Sequence, residues 1–284
     1  PANASYGVSD NLDFTVNFNE NITVNTGGGA PRLQLTIGAS TQYASYVSGS
    51  GGNALLFRYT VQVADLDSDG LSLSGTVQAN GGTLQDGAGN NINTVLNSVG
   101  SLAAVLVDGQ GPTVSEITAV ATPANDATPS VTFNSDEAGT LSVGGSCGSG
   151  DEGAVSSGST TITLTQTDNS TVLAAGTYSD CTLTVTDAVG NNSNTLTLSG
   201  FTIDLVAPNV AEVTAAVTPS NDSTPDVTLS TTEAGTLTVG GSCGSASEGE
   251  ISSGNTTITL TQTDNSTALA GGTYSDCTLT VTDA

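Results

Sequence analysis

Thr160-Thr-Ile-Thr-Leu-Thr-Gln166 and Cys181-Thr-Leu-Thr-Val185 decide the fold class of this chain, because both repeat with a period of two. Ile162 and Leu164 fall on one face of the first stretch. Cys181, Leu183 and Val185 fall on one face of the second, with threonines between them. Successive side chains of a β-strand point to opposite faces, so this alternation predicts strands buried on one side. Threonine, β-branched yet polar, suits the solvated side. Runs of Gly, Asn, Asp and Ser separate such stretches, and no apolar stripe at helical spacing is sustained. Short strands with frequent turn signals predict an all-β chain of sandwich units.

Working outward, both stretches belong to a repeat. Asp108–Ala188 aligns without a gap on Asp204–Ala284, shifted by 96 residues, with 23 mismatches in 81 positions. A self-similar unit of that size is a domain in tandem rather than a solenoid turn. Residues 1–107 form a different unit with the same grammar, with strands predicted at Leu12–Phe18, Leu33–Ile37 and Leu55–Val63. The expected organisation is therefore three units, 1–107, 108–203 and 204–284. In the second unit, Leu196, Leu198, Phe201 and Ile203 read as a last strand. The third unit ends before that strand. Both ends read as cuts, with the final strand supplied either by further chain or by a neighbouring chain.

Composition excludes much. Two arginines, Arg32 and Arg58, face 27 acidic residues, with no Lys, His, Met or Trp and a net charge of −25. Nucleic acid and anionic membranes are poor partners for such a chain, because both are bound through Lys and Arg. Without Lys there is no Schiff base or phosphate-loop chemistry, and without His no Ser-His-Asp or Cys-His centre. Aromatic residues are only 4 % of the chain, too few for the platforms of a sugar-cleaving cleft, so no enzyme is expected. No apolar run reaches the roughly 20 residues a membrane helix needs. A slightly positive mean hydropathy and regular apolar spacing argue for folded rather than disordered chain.

Cys147 and Cys181 are 34 residues apart, as are Cys243 and Cys277. That spacing without histidine does not suit zinc, so one disulfide in each repeat is the expectation, and with it an oxidising compartment.

Carboxylates supply the candidate metal ligands. Asp65-Leu-Asp-Ser-Asp-Gly70 places Asp65, Asp67 and Asp69 at alternate positions before a glycine, as calcium loops do. The twelfth position is Thr76, which rules out an EF-hand loop. An acidic solvated turn is the alternative. Eight acidic positions recur in both repeats. Asp108, Asp126, Glu137 and Asp187, with counterparts Asp204, Asp222, Glu233 and Asp283, fall where linkers and turns should meet at unit junctions. Asp187-Ala-Val-Gly-Asn191 matches Asp86-Gly-Ala-Gly-Asn90 in the first unit. Calcium there would neutralise charge and stiffen the junctions. The competing reading is that these aspartates only cap turns.

Several stretches of the first unit carry a resemblance: Tyr6–Glu20, Tyr46-Val-Ser-Gly-Ser-Gly51, Phe57-Arg-Tyr-Thr-Val61, Asp65–Gly70 and Asn80–Asn90. In the repeats, Pro219–Pro225, Glu233-Ala-Gly-Thr236, Gly176-Thr-Tyr178, Thr186–Asn191 and Ile203–Pro208 carry it too. Through them the chain resembles the immunoglobulin-like repeat modules of large secreted bacterial surface adhesins and extracellular filament proteins. The resemblance implies tandem immunoglobulin-like sandwiches in an elongated array, secretion to the cell surface, calcium near the junctions, and a first unit, 1–107, that lacks part of its opening strand. Its cysteine pair departs from that pattern. Tyr178 and Tyr274 stand three residues before a cysteine, not two as in antibody domains. The expected role is a stalk or spacer whose partners are neighbouring modules or identical chains. A filament subunit joined by strand donation and a ligand-binding adhesin domain are the alternatives.

Overall fold

A computed structural model of the chain describes residues 1–283. Those residues are all-β, with no helix and several separate sheets, an arrangement consistent with β-sandwich units. Three clusters of buried apolar side chains share no member, and fall within residues 12–107, 114–203 and 227–281. Among the described residues, no helix is long and apolar enough to cross a membrane.

In the first unit, a six-stranded sheet runs in the order Ser72–Gln78, Arg32–Ile37, Ser40–Ser48, Gly52–Thr60, Asn11–Asn25, Thr83–Gln85. Arg32–Ile37 shows its alternation directly, with Leu33, Leu35 and Ile37 buried and the residues between them partly exposed. Facing core residues come from a smaller sheet, in which Ala4–Tyr6 pairs in parallel with Val105–Asp108 and Leu66–Asp67 closes the other side. The strand expected to reach Val63 stops at Thr60, and Val63 is exposed.

The second unit places Val114–Thr118, Ser130–Ser135 and Gly158–Thr163 in one sheet. Gly153–Val155, Gly139–Gly144, Thr182–Thr186 and Leu196–Thr197 form another. The threonine faces form cross-strand pairs, as in Thr132 with Thr161 at 2.8 Å, which tie adjacent strands on the solvent side. The third unit repeats the arrangement with Val210–Thr214, Asp226–Thr231 and Gly254–Thr259, and with Gly249–Ile251, Gly235–Gly240 and Thr278–Thr282.

Both disulfides form, Cys147–Cys181 with a Cα–Cα distance of 5.2 Å and Cys243–Cys277 with 5.3 Å. A bridge of this kind stabilises chiefly by restricting the unfolded chain. Despite its different spacing from the cysteine, the Tyr178 hydroxyl donates to the Ala174 carbonyl at 3.0 Å. Tyr274 does the same to Ala270, and Tyr6 to Ala2.

The expected last strand of the second unit is two strands in two sheets. Leu196–Thr197 pairs with Thr182–Thr186, whereas Phe201–Ile203 pairs with Gly176–Tyr178. Ser199-Gly200 makes the crossing. There the Ser199 amide and hydroxyl both donate to the Glu116 carboxylate, at 3.0 and 2.6 Å. Periodicity marks these residues as apolar-inward, but it does not say which sheet receives them.

Candidate metal centre

Three chain segments meet beside Pro112, where the first unit passes into the second. Asp108 ends the strand Val105–Asp108. Glu137 lies in the turn between Ser130–Ser135 and Gly139–Gly144, held by the Ser135 hydroxyl, which donates to the Glu137 carbonyl at 2.7 Å. Asp187 follows the strand Thr182–Thr186 and opens a tight turn. One Asp187 oxygen accepts from the amides of Val189 and Asn191, at 2.9 and 2.8 Å. The other accepts from the Asn191 side chain at 2.7 Å.

One carboxylate oxygen from each of Asp108, Glu137 and Asp187 lies within 4.8 Å of the other two, and all three residues are partly buried. Asp204, Glu233 and Asp283 repeat the cluster at the next junction to the same 4.8 Å limit. Calcium takes oxygen ligands at roughly 2.3–2.6 Å, so opposite ligands of one ion lie about 5 Å apart. The spacing therefore suits a single Ca²⁺. Magnesium suits it less, because it needs shorter bonds and retains most of its waters.

Electrostatics follow from the geometry. Burial pushes the Glu137 carboxyl above its ordinary range, and the neighbouring Asp108, Asp136 and Asp187 charges push it the same way. Glu233 is raised likewise, first by desolvation and then by Asp204 and Asp283. One Glu233 oxygen is buried without a hydrogen-bond partner. Both arginines are engaged within the first unit. Arg58 pairs with Asp13 through contacts of 2.6 and 2.7 Å, the sole ion pair among the described residues. Arg32 lies over the Tyr43 ring at 3.7 Å and donates to Gln78.

The other expected ligands are placed elsewhere. Asp65 and Asp67 are buried and engaged by their own unit. Asp65 accepts from the Tyr59 hydroxyl at 2.6 Å and the Gln62 amide at 2.8 Å, while Asp67 accepts from the amides of Gly38 and Gly70, each at 2.7 Å. Burial, together with the Asp65 carboxylate beside it, raises the Tyr59 phenol. Asp69 is exposed. Asp86 caps its turn, accepting from Ala88 and Asn90 at 2.9 and 2.8 Å. Asp126 and Asp222 accept from the amides of Thr128 and Thr224. Among the described residues, none of these six joins an acidic cluster.

Sequence reading did not single out Asn191, which ties the junction together. Its side-chain carbonyl accepts from the Val8 amide of the first unit at 2.8 Å. Its side-chain amide donates to the Asp108 and Gln110 carbonyls, at 2.8 and 3.0 Å, as well as to Asp187. Backbones approach closely there: a Cβ on Gly7 would lie 2.6 Å from the Val189 carbonyl, and one on Gly111 2.1 Å from that of Asn192. The match between Asp86–Asn90 and Asp187–Asn191 was the available signal, and the second of these turns meets the first unit through Val8. Compared with known proteins, the chain matches no family model and no curated protein.

Proposed function

We propose that the chain is a structural spacer of a secreted surface protein or extracellular fibre, a row of immunoglobulin-like units whose junctions are locked by calcium. The observation that carries this reading is the recurrence of one Asp–Glu–Asp cluster at both linkers. In each cluster the first aspartate belongs to the linker segment and the other two acids to the unit that follows. An ion held by all three would fix the linker against that unit. Asn191 already makes the corresponding polar tie at the first junction. Two disulfides fit an oxidising, extracellular setting. A near-duplicate unit favours reach over recognition, and the resemblance to bacterial immunoglobulin-like repeats points the same way.

The test is small-angle scattering of the chain in chelator and in millimolar calcium. A spacer with calcium-locked junctions gives a longer maximum dimension and a narrower ensemble when calcium is added. Identical profiles in both conditions would reduce the clusters to solvated acids.

A further inference from the structure

We propose that the outward face of the six-stranded sheet in the first unit binds an acidic sugar, a ring with one carboxylate among hydroxyls, with Arg32 as the anion contact. The proposal goes beyond the calcium reading and uses no residue of either acidic cluster.

Strand pairing builds the site. Leu33, Leu35 and Ile37 point into the core, so Arg32 and Gln34 point outward from the same strand. Arg32 pairs with Gln78 on one neighbouring strand and with Ser45 on the other. Ser45 pairs in turn with Arg58, and Arg58 with Asp13. Residues directly opposite one another in antiparallel strands share a face. Gln78, Arg32, Ser45, Arg58 and Asp13 therefore form one row across five strands, spaced about 4.8 Å from strand to strand. Both arginines of the chain stand in this row.

The two differ in what they have left to offer. Asp13 takes the Nε and Nη2 groups of Arg58 in a bidentate pair and neutralises it. Arg32 has no carboxylate within ion-pair distance among the described residues. Its Nε donates to the Gln78 side-chain carbonyl at 3.0 Å, and the Gln78 side-chain amide donates to that of Gln34 at 3.0 Å. Its guanidinium lies 3.7 Å from the centre of the Tyr43 ring, on the residue that pairs with Gln34. These contacts fix the plane of the guanidinium and leave its two Nη groups to donate. A fork held this way takes a carboxylate through two parallel bonds and loses little side-chain freedom in doing so. Beside it, the Gln34 side-chain nitrogen and the Ser45 hydroxyl make no hydrogen bond to another described residue, and both suit hydroxyl groups.

Charge selects the class of ligand. A net charge of −25 opposes the approach of a polyanion. A single carboxylate on an otherwise neutral, hydroxyl-rich ring meets the free guanidinium with far less repulsion. From Gln78 to Ser45 the row spans about 10 Å, the extent of one or two sugar rings.

The test titrates the whole chain, in chelator so that calcium plays no part, with a disaccharide carrying one glucuronate ring. Nuclear magnetic resonance follows the Arg32 Nε–H and the side-chain amides of Gln34 and Gln78. Saturation is expected with a Kd of about 1 mM, with shifts confined to these groups and the Tyr43 ring. The same disaccharide with its carboxylate converted to an amide binds roughly tenfold more weakly. Arg32→Gln, at a partly exposed position, weakens binding to a similar extent and leaves the melting temperature unchanged. Arg32→Lys keeps the charge without the fork and restores little of the affinity. Equal binding of acetate, tighter binding of a polyglutamate peptide, or no saturation at roughly 20 mM disaccharide would overturn the assignment.

Discussion

The second and third units are near copies in sequence, yet they bury different amounts of themselves. In the second, Phe133, Leu141, Leu164 and Leu183 lie in a core of fifteen buried residues closed by Leu198, Phe201 and Ile203. In the third, the core cluster among the described residues has eight buried members, and Leu269, Cys277 and Leu279 only border it. The shared strands, Asp226–Thr231 and Gly235–Gly240 among them, keep their registers. The lesson is that pairing along each sheet is set locally, whereas closure of the core depends on about eight residues at the end of the unit. The clusters of acids behave the other way. They are assembled from the linker and two turns, and are alike at both junctions whether or not the core beside them is closed.

The largest break in the comparison comes from Phe201→Ala. Removing a fully buried ring costs about 3–5 kcal/mol, and should leave the second unit resembling the third. Denaturant unfolding followed by hydrogen exchange at Leu173 and Leu183 checks this, and protection equal to the parent chain would contradict it.

Next in size is loss of a disulfide. Each closes 34 residues, which corresponds to about 3–4 kcal/mol in either unit. Replacing Cys243 and Cys277 with alanine should unfold the third unit at a lower temperature than the same change at Cys147 and Cys181 unfolds the second. Calorimetry that finds equal losses and equal midpoints would mean the smaller core is no handicap.

Asn191→Ala removes bonds to both Val8 and the linker and should cost roughly 1–3 kcal/mol. Asn90→Ala, on the matching turn of the first unit, should cost much less, because its side chain reaches only Asp86. Urea midpoints of the two variants separate the cases.

The smallest effect is with pH. Glu137 and Glu233 hold their protons more tightly folded than unfolded, so protonation favours the fold. In chelator, stability contributed by these groups falls as pH rises from the ordinary glutamate value of 4.5 through their raised values. Asp168 and Asp264 act in the opposite sense and at lower pH. The Thr171 and Thr267 hydroxyls, with nearby amides, lower them to about 2, so their contribution is lost as pH falls from the ordinary aspartate value of 3.8 through about 2. The melting temperature in chelator should therefore rise slightly on going from pH 7 to pH 5, and calcium should abolish the rise. A rise unaffected by calcium would detach the clusters from the metal.

Much of this was legible in the sequence because it is written in short-range patterns. Leu33, Leu35 and Ile37, or Leu183 and Val185, reveal strand and face by alternation alone. The cysteine spacing and the absence of histidine left a disulfide as the simplest pairing. Three of the four acids picked at each junction do meet, but Asp126 and Asp222 do not, because each has amides within its own turn to accept from. Asp65 and Asp67 look like calcium ligands in sequence. The structure turns both inward, toward the Tyr59 hydroxyl and the amides of Gly38 and Gly70, donors that alternation cannot locate. The split of residues 196–203 between two sheets was illegible for a similar reason, since Glu116, its anchor, lies 83 residues from Ser199.

Calorimetric titration with calcium tests the central claim most directly. The account predicts two sites on the parent chain, one on Glu137→Gln, one on Glu233→Gln and none on the double variant, each variant keeping its strand content. Binding that persists unchanged in the double variant, or no heat on the parent chain at millimolar calcium, would contradict it.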